Sequence, residues 1–233
     1  ELEHIGVPIE YDRYVEGGDL VDMNVDIVII ATGGMPNVEF FESGHDLCVS
    51  SWDVLTAQVR LSGEILLYDE NGAEAGVGTA EYLLDQGQKV HMVTPDRLIG
   101  THIGPTNYPA VMKKFYNAGM QMTTDHRLVS LRRESGKIIA RLWCDLTSTP
   151  LEKTVDHVVV ENGTLPADDV YFELKKDAMN LGMTDIDALA DLHPQTINLN
   201  EDGKYRLFRI GDAVASRNVH AAMFEARRLC MVF

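Results

Sequence analysis

Leu207-Phe208-Arg209-Ile210-Gly211-Asp212-Ala213-Val214 is followed by Ala215 to Asn218 and then by Val219-His220-Ala221-Ala222-Met223-Phe224-Glu225-Ala226-Arg227-Arg228-Leu229. The run reads as a short buried strand, a Gly-Asp turn among small residues, and a helix that Asn218 caps through its side-chain oxygen. A turn of this shape suits a nucleotide. Glycine lets a ligand approach the backbone, a carboxylate just past a strand accepts hydrogen bonds from sugar hydroxyls, and the free N–H groups of a helix start attract phosphate. The same residues also make an ordinary strand-to-helix turn, and this stretch alone does not choose between the two.

A second segment lies far upstream: Val25-Asp26-Ile27-Val28-Ile29-Ile30-Ala31-Thr32-Gly33-Gly34-Met35-Pro36. A continuous apolar run of this length, entering Ala-Thr-Gly, is expected of a buried parallel strand. The two segments together resemble the hallmarks of the two-dinucleotide-domain flavoprotein reductases. In that family Ala-Thr-Gly closes the flavin-domain crossover, the distal Gly-Asp holds the ribityl or adenosine portion of the flavin, and a second dinucleotide fold is inserted between them. The resemblance therefore implies FAD or ADP at Ala31, Thr32, Gly33, Gly211 and Asp212, with Asn218 and His220 at the start of the adjoining helix.

Length and composition narrow the choice of class. The chain of 233 residues is long enough for one large domain or two small α/β units. No apolar run approaches the roughly 20 residues that span a bilayer, which argues against a membrane protein. A formal net charge of -16 argues against a nucleic-acid partner, because binding phosphate requires an excess of Lys and Arg. Cys48, Cys144 and Cys230 are widely spaced and form no C-x-x-C, which favours buried free thiols in a reducing cytoplasm. No Ser, His and Asp set sits in a nucleophile-elbow context, and the eight histidines show no pair at metal-ligand spacing. Met112, Met120, Met122, Trp52 and Trp143 read as packing residues. The chain opens without Met, in mid-helix, and reads as a piece of a longer polypeptide.

Taken in order, Gly6 and Val7-Pro8-Ile9-Glu10-Tyr11 read as a turn and a strand, and residues 37–60 as a linker with a short helix at Ser51 to Leu55. A new α/β unit then opens. Ile65-Leu66-Leu67-Tyr68-Asp69 is a strand, a helix runs from about Gly76 to Gly87, and Lys89-Val90-His91-Met92-Val93-Thr94 is the next strand, so that about thirty residues make a mononucleotide-binding half. Tyr108-Pro109 starts another helix. Strands follow at 120–124, 127–133, 137–143 and 153–160, with a hairpin about Ser135-Gly136. Asn162-Gly163-Thr164 ends the unit much as Ala-Thr-Gly ends the first, and 168–175 and 185–191 read as short helices. The expected fold is α/β: two Rossmann-like, FAD/NAD(P)-binding units with parallel sheets and a small antiparallel hairpin. Residues 1–60 and 162–233 form a discontinuous FAD/ADP-type domain, and 61–161 an inserted NAD(P)-type domain.

Several further words sharpen the resemblance: Tyr68-Asp69, Val93-Thr94-Pro95-Asp96-Arg97, Asn162-Gly163-Thr164-Leu165-Pro166, Tyr171-Phe172-Glu173-Leu174-Lys175 and Phe208 to Asn218. Their order is similar to the C-terminal part of the trimethylamine dehydrogenase and 2,4-dienoyl-CoA reductase group of NADH:flavin oxidoreductases, especially its N-methylproline or stachydrine-type demethylases. This implies an oxidoreductase that demethylates or dehydrogenates a small N-methylated amine. Its catalysis, FMN and 4Fe-4S cluster would lie in an N-terminal TIM barrel outside this chain, with an external electron acceptor and a homo-oligomeric parent.

Two departures qualify that expectation. The family's first glycine-rich turn, with most of the pyrophosphate contact, would lie upstream of Glu1. In the inserted unit G-x-G-x-x-G falls on Asn71-x-Ala73-x-x-Gly76, so only Gly76 is kept, and Asp69 and Glu70 stand where pyrophosphate would sit. Thr94 replaces the acidic residue expected on an NAD ribose. Arg97 is placed to meet a 2′-phosphate, or else is a solvated surface arginine. Binding of NAD(P)H by this unit is therefore doubtful, as in trimethylamine dehydrogenase, which kept the domain and lost nicotinamide binding. The alternative for the whole chain is a vestigial dinucleotide fold, a structural or assembly module carrying a fixed ADP.

Overall fold

The computed structural model describes residues 3–21 and 24–233. In chain order the elements are α1 (Gly17–Val21), β1 (Ile27–Ile30), β2 (Gly34–Pro36), β3 (Cys48–Ser50), α2 (Ser51–Leu55), β4 (Glu64–Asp69), α3 (Glu74–Asp85), β5 (Lys89–Val93) and α4 (Tyr108–Asn117). They continue with β6 (Gln121–Thr123), β7 (His126–Glu134), β8 (Lys137–Cys144), β9 (Thr149–Val155), β10 (His157–Glu161), β11 (Thr164–Pro166), α5 (Asp169–Leu174), α6 (Ile186–Ala190), β12 (Arg206–Arg209) and α7 (Val219–Cys230). The chain divides into two units, residues 1–35 with 165–233, and residues 36–164.

In the second unit five parallel strands run in the order β3-β10-β4-β5-β6. β4 is the centre of this sheet because Ile65-Leu66-Leu67-Tyr68 is apolar on both faces. All four side chains are 0% exposed, each contributing about 1.5–3 kcal/mol relative to exposure. Ile65 and Leu67 pack with Val77, Ala80 and Leu83 of α3 and Phe115 of α4. Leu66 and Tyr68 face the other way, onto Leu128, Leu131, Ala140 and Leu142 of the antiparallel meander β7-β8-β9. The β7-β8 hairpin turns on Ser135 (φ 49°) and Gly136 (φ 81°), the paired left-handed conformations of a type I′ turn.

In the first unit β1 and β12 pair in parallel, from Ile27 opposite Arg206 to Ile30 opposite Arg209. Val28, Ile30, Tyr171, Leu174, Tyr205 and Leu207 make its core. Asn180, 1% exposed, takes the Leu207 N–H and donates to the Leu207 carbonyl, which fixes the outer edge of β12. The connecting segments β2 and β11 pair with one another.

Several sequence expectations are corrected. Residues 37–60 are no linker: β3 pairs with β10, from Cys48 opposite Val158 to Ser50 opposite Val160, and Ser50 with Asp53 forms a reciprocal capping box at the start of α2. Val7 to Tyr11 is not a strand. Pro8 lacks an N–H to pair, and Val7 and Tyr11 are exposed rather than packed. The predicted strand at 153–160 is two strands broken at Asp156, whose carboxylate binds Lys137 and the Glu64 N–H. Trp52 is exposed, and of the three thiols only Cys144 is buried while Cys230 is exposed.

Candidate functional site

The β1-β12 register sets two strand ends side by side. Ile210 N–H donates to the Ile30 carbonyl at 3.0 Å, so Ala31-Thr32-Gly33 and Gly211-Asp212 leave the sheet together. Ala31 and Thr32 are exposed. Thr32 Oγ1 donates to the Ala167 carbonyl, and Ala167 N–H donates to Gly33 at 3.0 Å. Gly33 has φ 73° and open space where a side chain would begin.

Gly211 is buried with φ 63°, and a Cβ there would stand 3.2 Å from that of Ala222 on α7. Both facts favour glycine. Its N–H donates to Glu225 Oε2 at 2.8 Å, and Glu225 also pairs with Arg217. The half-buried Asp212 accepts the Arg217 N–H at 3.2 Å through Oδ1. Asn218 caps α7 by accepting the Ala221 N–H at 2.9 Å, as its sequence position implied. His220 follows on the first turn and is exposed. The turn thus offers a carboxylate beside a helix start, which fits sugar hydroxyls. The Gly211 N–H, however, already has an internal acceptor.

Sequence reading missed a second cluster at the same strand end. The Arg209 guanidinium pairs with Asp168, donates to the Ala213 carbonyl at 3.3 Å and lies 4.6 Å from the ring centre of Tyr171. It borders a cavity of about 380 Å³ whose walls include Ile186, Leu189, Val214 and Phe224. Arg209 is visible in sequence only as a charge ending an apolar strand, and nothing local links it to Asp168, 41 residues away.

In the second unit the equivalent position is the turn between β4 and α3. Asp69, the last residue of β4, is 0% exposed, and its Oδ1 accepts the N–H groups of Asn71 and Gly72 at 3.0 Å each. Oδ2 has no hydrogen-bond partner among the described residues. Burial, with Glu161 and Asp96 nearby, pushes the Asp69 carboxyl up to about 7, while the two N–H bonds oppose the shift. A side chain on Gly76, in the first turn of α3, would collide with this carboxylate. Glu161 ends β10 directly opposite Asp69 and is 5% exposed. It accepts from Ser51 Oγ, from Gly163 N–H at 3.1 Å and from Asn71 Nδ2 at 3.3 Å. Thr94, 1% exposed, accepts the Asp96 N–H at 3.2 Å within its own turn. The Arg97 side chain, 76% exposed, pairs with Asp125 at 3.3 Å.

No family model matches the chain. It is 35% identical over 229 residues to a probable N-methylproline demethylase of Rhizobium meliloti (strain 1021), covering 98% of this chain and 34% of that protein. It is 36% identical over 244 residues to an N,N-dimethylglycine/sarcosine dehydrogenase of Chromohalobacter salexigens, covering 100% of this chain and 35% of that protein. The chain thus spans about a third of the length of the curated relatives it matches. Among solved structures, a 2-naphthoyl-CoA reductase matches with a TM-score of 0.75 at 17% identity, over 100% of this chain and 30% of that one. Histamine dehydrogenase from Rhizobium sp. 4-9 matches at 0.72 and 18%, over 94% and 32%. A flavoprotein disulfide reductase of Escherichia coli matches at 0.60 and 13%, over 87% and 43%, and these likenesses identify the fold as Rossmann-like α/β. At about a third identity over nearly its whole length, the chain is homologous to one third of these curated relatives and resembles the trimethylamine dehydrogenase/2,4-dienoyl-CoA reductase-like NADH:flavin oxidoreductases.

Proposed function

We propose that this chain is the C-terminal nucleotide-binding portion of a multi-cofactor flavin oxidoreductase that dehydrogenates or demethylates a small N-methylated amine. The curated relatives' names support that substrate class. In this reading the reaction takes place in an N-terminal TIM barrel of the same polypeptide, with FMN and a 4Fe-4S cluster. The first unit (residues 1–35 with 165–233) holds FAD or ADP, the second (36–164) is of NAD(P) type, and an external acceptor takes the electrons. A bound FAD would supply reversible two-electron storage, whereas ADP would supply only a binding anchor. The parent is cytoplasmic and homo-oligomeric. Among the described residues no helix is long and apolar enough to cross a membrane.

The observation that supports a nucleotide in the first unit is the pairing of Ile30 with Arg209, from which Ala31-Thr32-Gly33 and Gly211-Asp212 emerge as neighbours. The ligand's hydroxyls would meet Asp212, and its phosphates the helix start at Asn218 and His220. Mass spectrometry of small molecules released from the complete polypeptide tests this. FAD or ADP at one per chain beyond the barrel flavin is the expected result, and a nucleotide-free protein refutes it.

A second reading is favoured by a specific observation: the Gly211 amide is already bound to Glu225. On this reading the folds are vestigial and serve assembly, with at most a fixed ADP and no redox role. Full turnover after exchange of the released nucleotide for a redox-inert analogue would select it.

A further inference from the structure

The turn between β4 and α3 has the parts of an anion seat. Its donors are the backbone N–H groups of Asn71 and Gly72, and it opens onto the first turn of a twelve-residue helix whose N-cap residue, Ala73, makes no side-chain cap. In a dinucleotide fold such donors and such a helix start face a phosphate. Here they face a side chain: Asp69 Oδ1 receives both N–H groups, and Oδ2 points at the space beside Gly76. A buried oxygen without a partner is costly, so its position calls for a reason beyond packing. Glu161, at the matching end of the neighbouring strand, is satisfied by three donors from Ser51, Asn71 and Gly163.

We propose that the carboxyl group of Asp69 is a resident occupant of this seat, a stand-in for one phosphate of a dinucleotide, and that it determines the second unit's refusal of such ligands. The inference rests on the dinucleotide-type reading of the second unit. Filling, not charge alone, does the excluding. The group takes the two N–H donors and the space that only glycine at position 76 leaves. Removing the side chain frees both donors and the helix start for a phosphate group, whereas an isosteric amide keeps the seat filled. Glycine at position 69 also restores the close backbone approach that pyrophosphate needs.

The test is calorimetric titration of the complete polypeptide and its Asp69→Gly and Asp69→Asn variants with inorganic pyrophosphate and, separately, with NADH. The parent and Asp69→Asn are expected to give no saturable heat at millimolar ligand, and Asp69→Gly to gain at least tenfold in affinity for pyrophosphate. Circular dichroism and thermal melting establish folding, and Asp69→Ser replaces the glycine variant should that one not fold. Three results overturn the proposal: pyrophosphate binding by the parent equal to that of Asp69→Gly, no gain in a folded small-residue variant, or an equal gain in Asp69→Asn, which would assign exclusion to charge. Nucleotide content of the first unit is read through Asp212, so the two proposals fail separately.

Discussion

The Gly211 amide and the Glu225 carboxylate, 14 residues apart, are joined by a 2.8 Å hydrogen bond that ties the strand-end turn to α7. Glu225→Ala strands the N–H of a buried glycine and releases Arg217. The expected loss is about 1–3 kcal/mol of unfolding free energy by urea titration. Glu225→Gln keeps an acceptor and loses only a partly exposed ion pair, and should cost less than about 1 kcal/mol. Equal losses in the two variants would show that the charge, not the amide bond, is what matters.

Asp212→Ala is expected to lower the affinity of the first unit for its nucleotide roughly ten- to a hundredfold, since a hydrogen bond to a charged group contributes about 1.5–3 kcal/mol. A turn with only a structural role predicts a lower melting temperature with unchanged nucleotide content. Measuring both quantities on the folded variant separates the two roles.

Stability should depend on pH through Asp69. Its carboxyl is raised from 3.8 to about 7 by burial, with Glu161 of β10 and Asp96 after β5 adding negative charge and the Asn71 and Gly72 amides opposing. The folded protein therefore holds this proton more firmly than the unfolded chain, so the contribution is complete below about pH 4 and is lost as pH rises toward 7. Raising the carboxyl from 3.8 to about 7 corresponds to about 4 kcal/mol. The buried His91, held down to about 4 by desolvation and Lys153, acts in the opposite direction, losing stability as pH falls from 6.5 toward 4. Asp69→Asn should leave the acid limb governed by His91 and remove the decline between pH 4 and 7. Denaturation midpoints of parent and variant across pH 4–8 give the comparison, and parallel curves would refute it.

Gly76→Ala should destabilise by about 1–3 kcal/mol, because its methyl group meets the Asp69 carboxylate. In an Asp69→Gly background the same substitution should be nearly neutral. A double-mutant cycle with no coupling between positions 69 and 76 would contradict the packing described.

The elements legible in sequence are those whose signal is local. β4 announces itself as Ile65-Leu66-Leu67-Tyr68 because a central parallel strand is buried on both faces, and α7 through Asn218 as its cap. β3 was not legible: three residues have no periodicity, and Cys48-Val49-Ser50 is a strand only because β10 lies beside it. Val7 to Tyr11 failed the other way, with strand-like composition but no strand to pair with among the described residues. At the sites, the types and spacing of Asp69, Gly76, Gly211 and Asp212 were conspicuous. Their bonding partners were not. Glu161 acquires meaning only from a register opposite Asp69, Glu225 only from the path of α7 back over Gly211, and Arg209 only from Asp168 across the chain.

Of the residues of α7, Leu229 alone is buried, while Val219, Met223 and Phe224 are 79%, 69% and 54% exposed. In hydrogen exchange the helix should therefore open by local fluctuation, far faster than β4, whose amides are released only by unfolding of the whole unit. The turn at Gly211 is anchored to this loosely held element through Glu225, so whatever binds there acts on a segment with protection to gain. Slowed exchange of the α7 amides, with β4 unchanged, is the signal by which occupancy of the Gly211-Asp212 turn becomes visible.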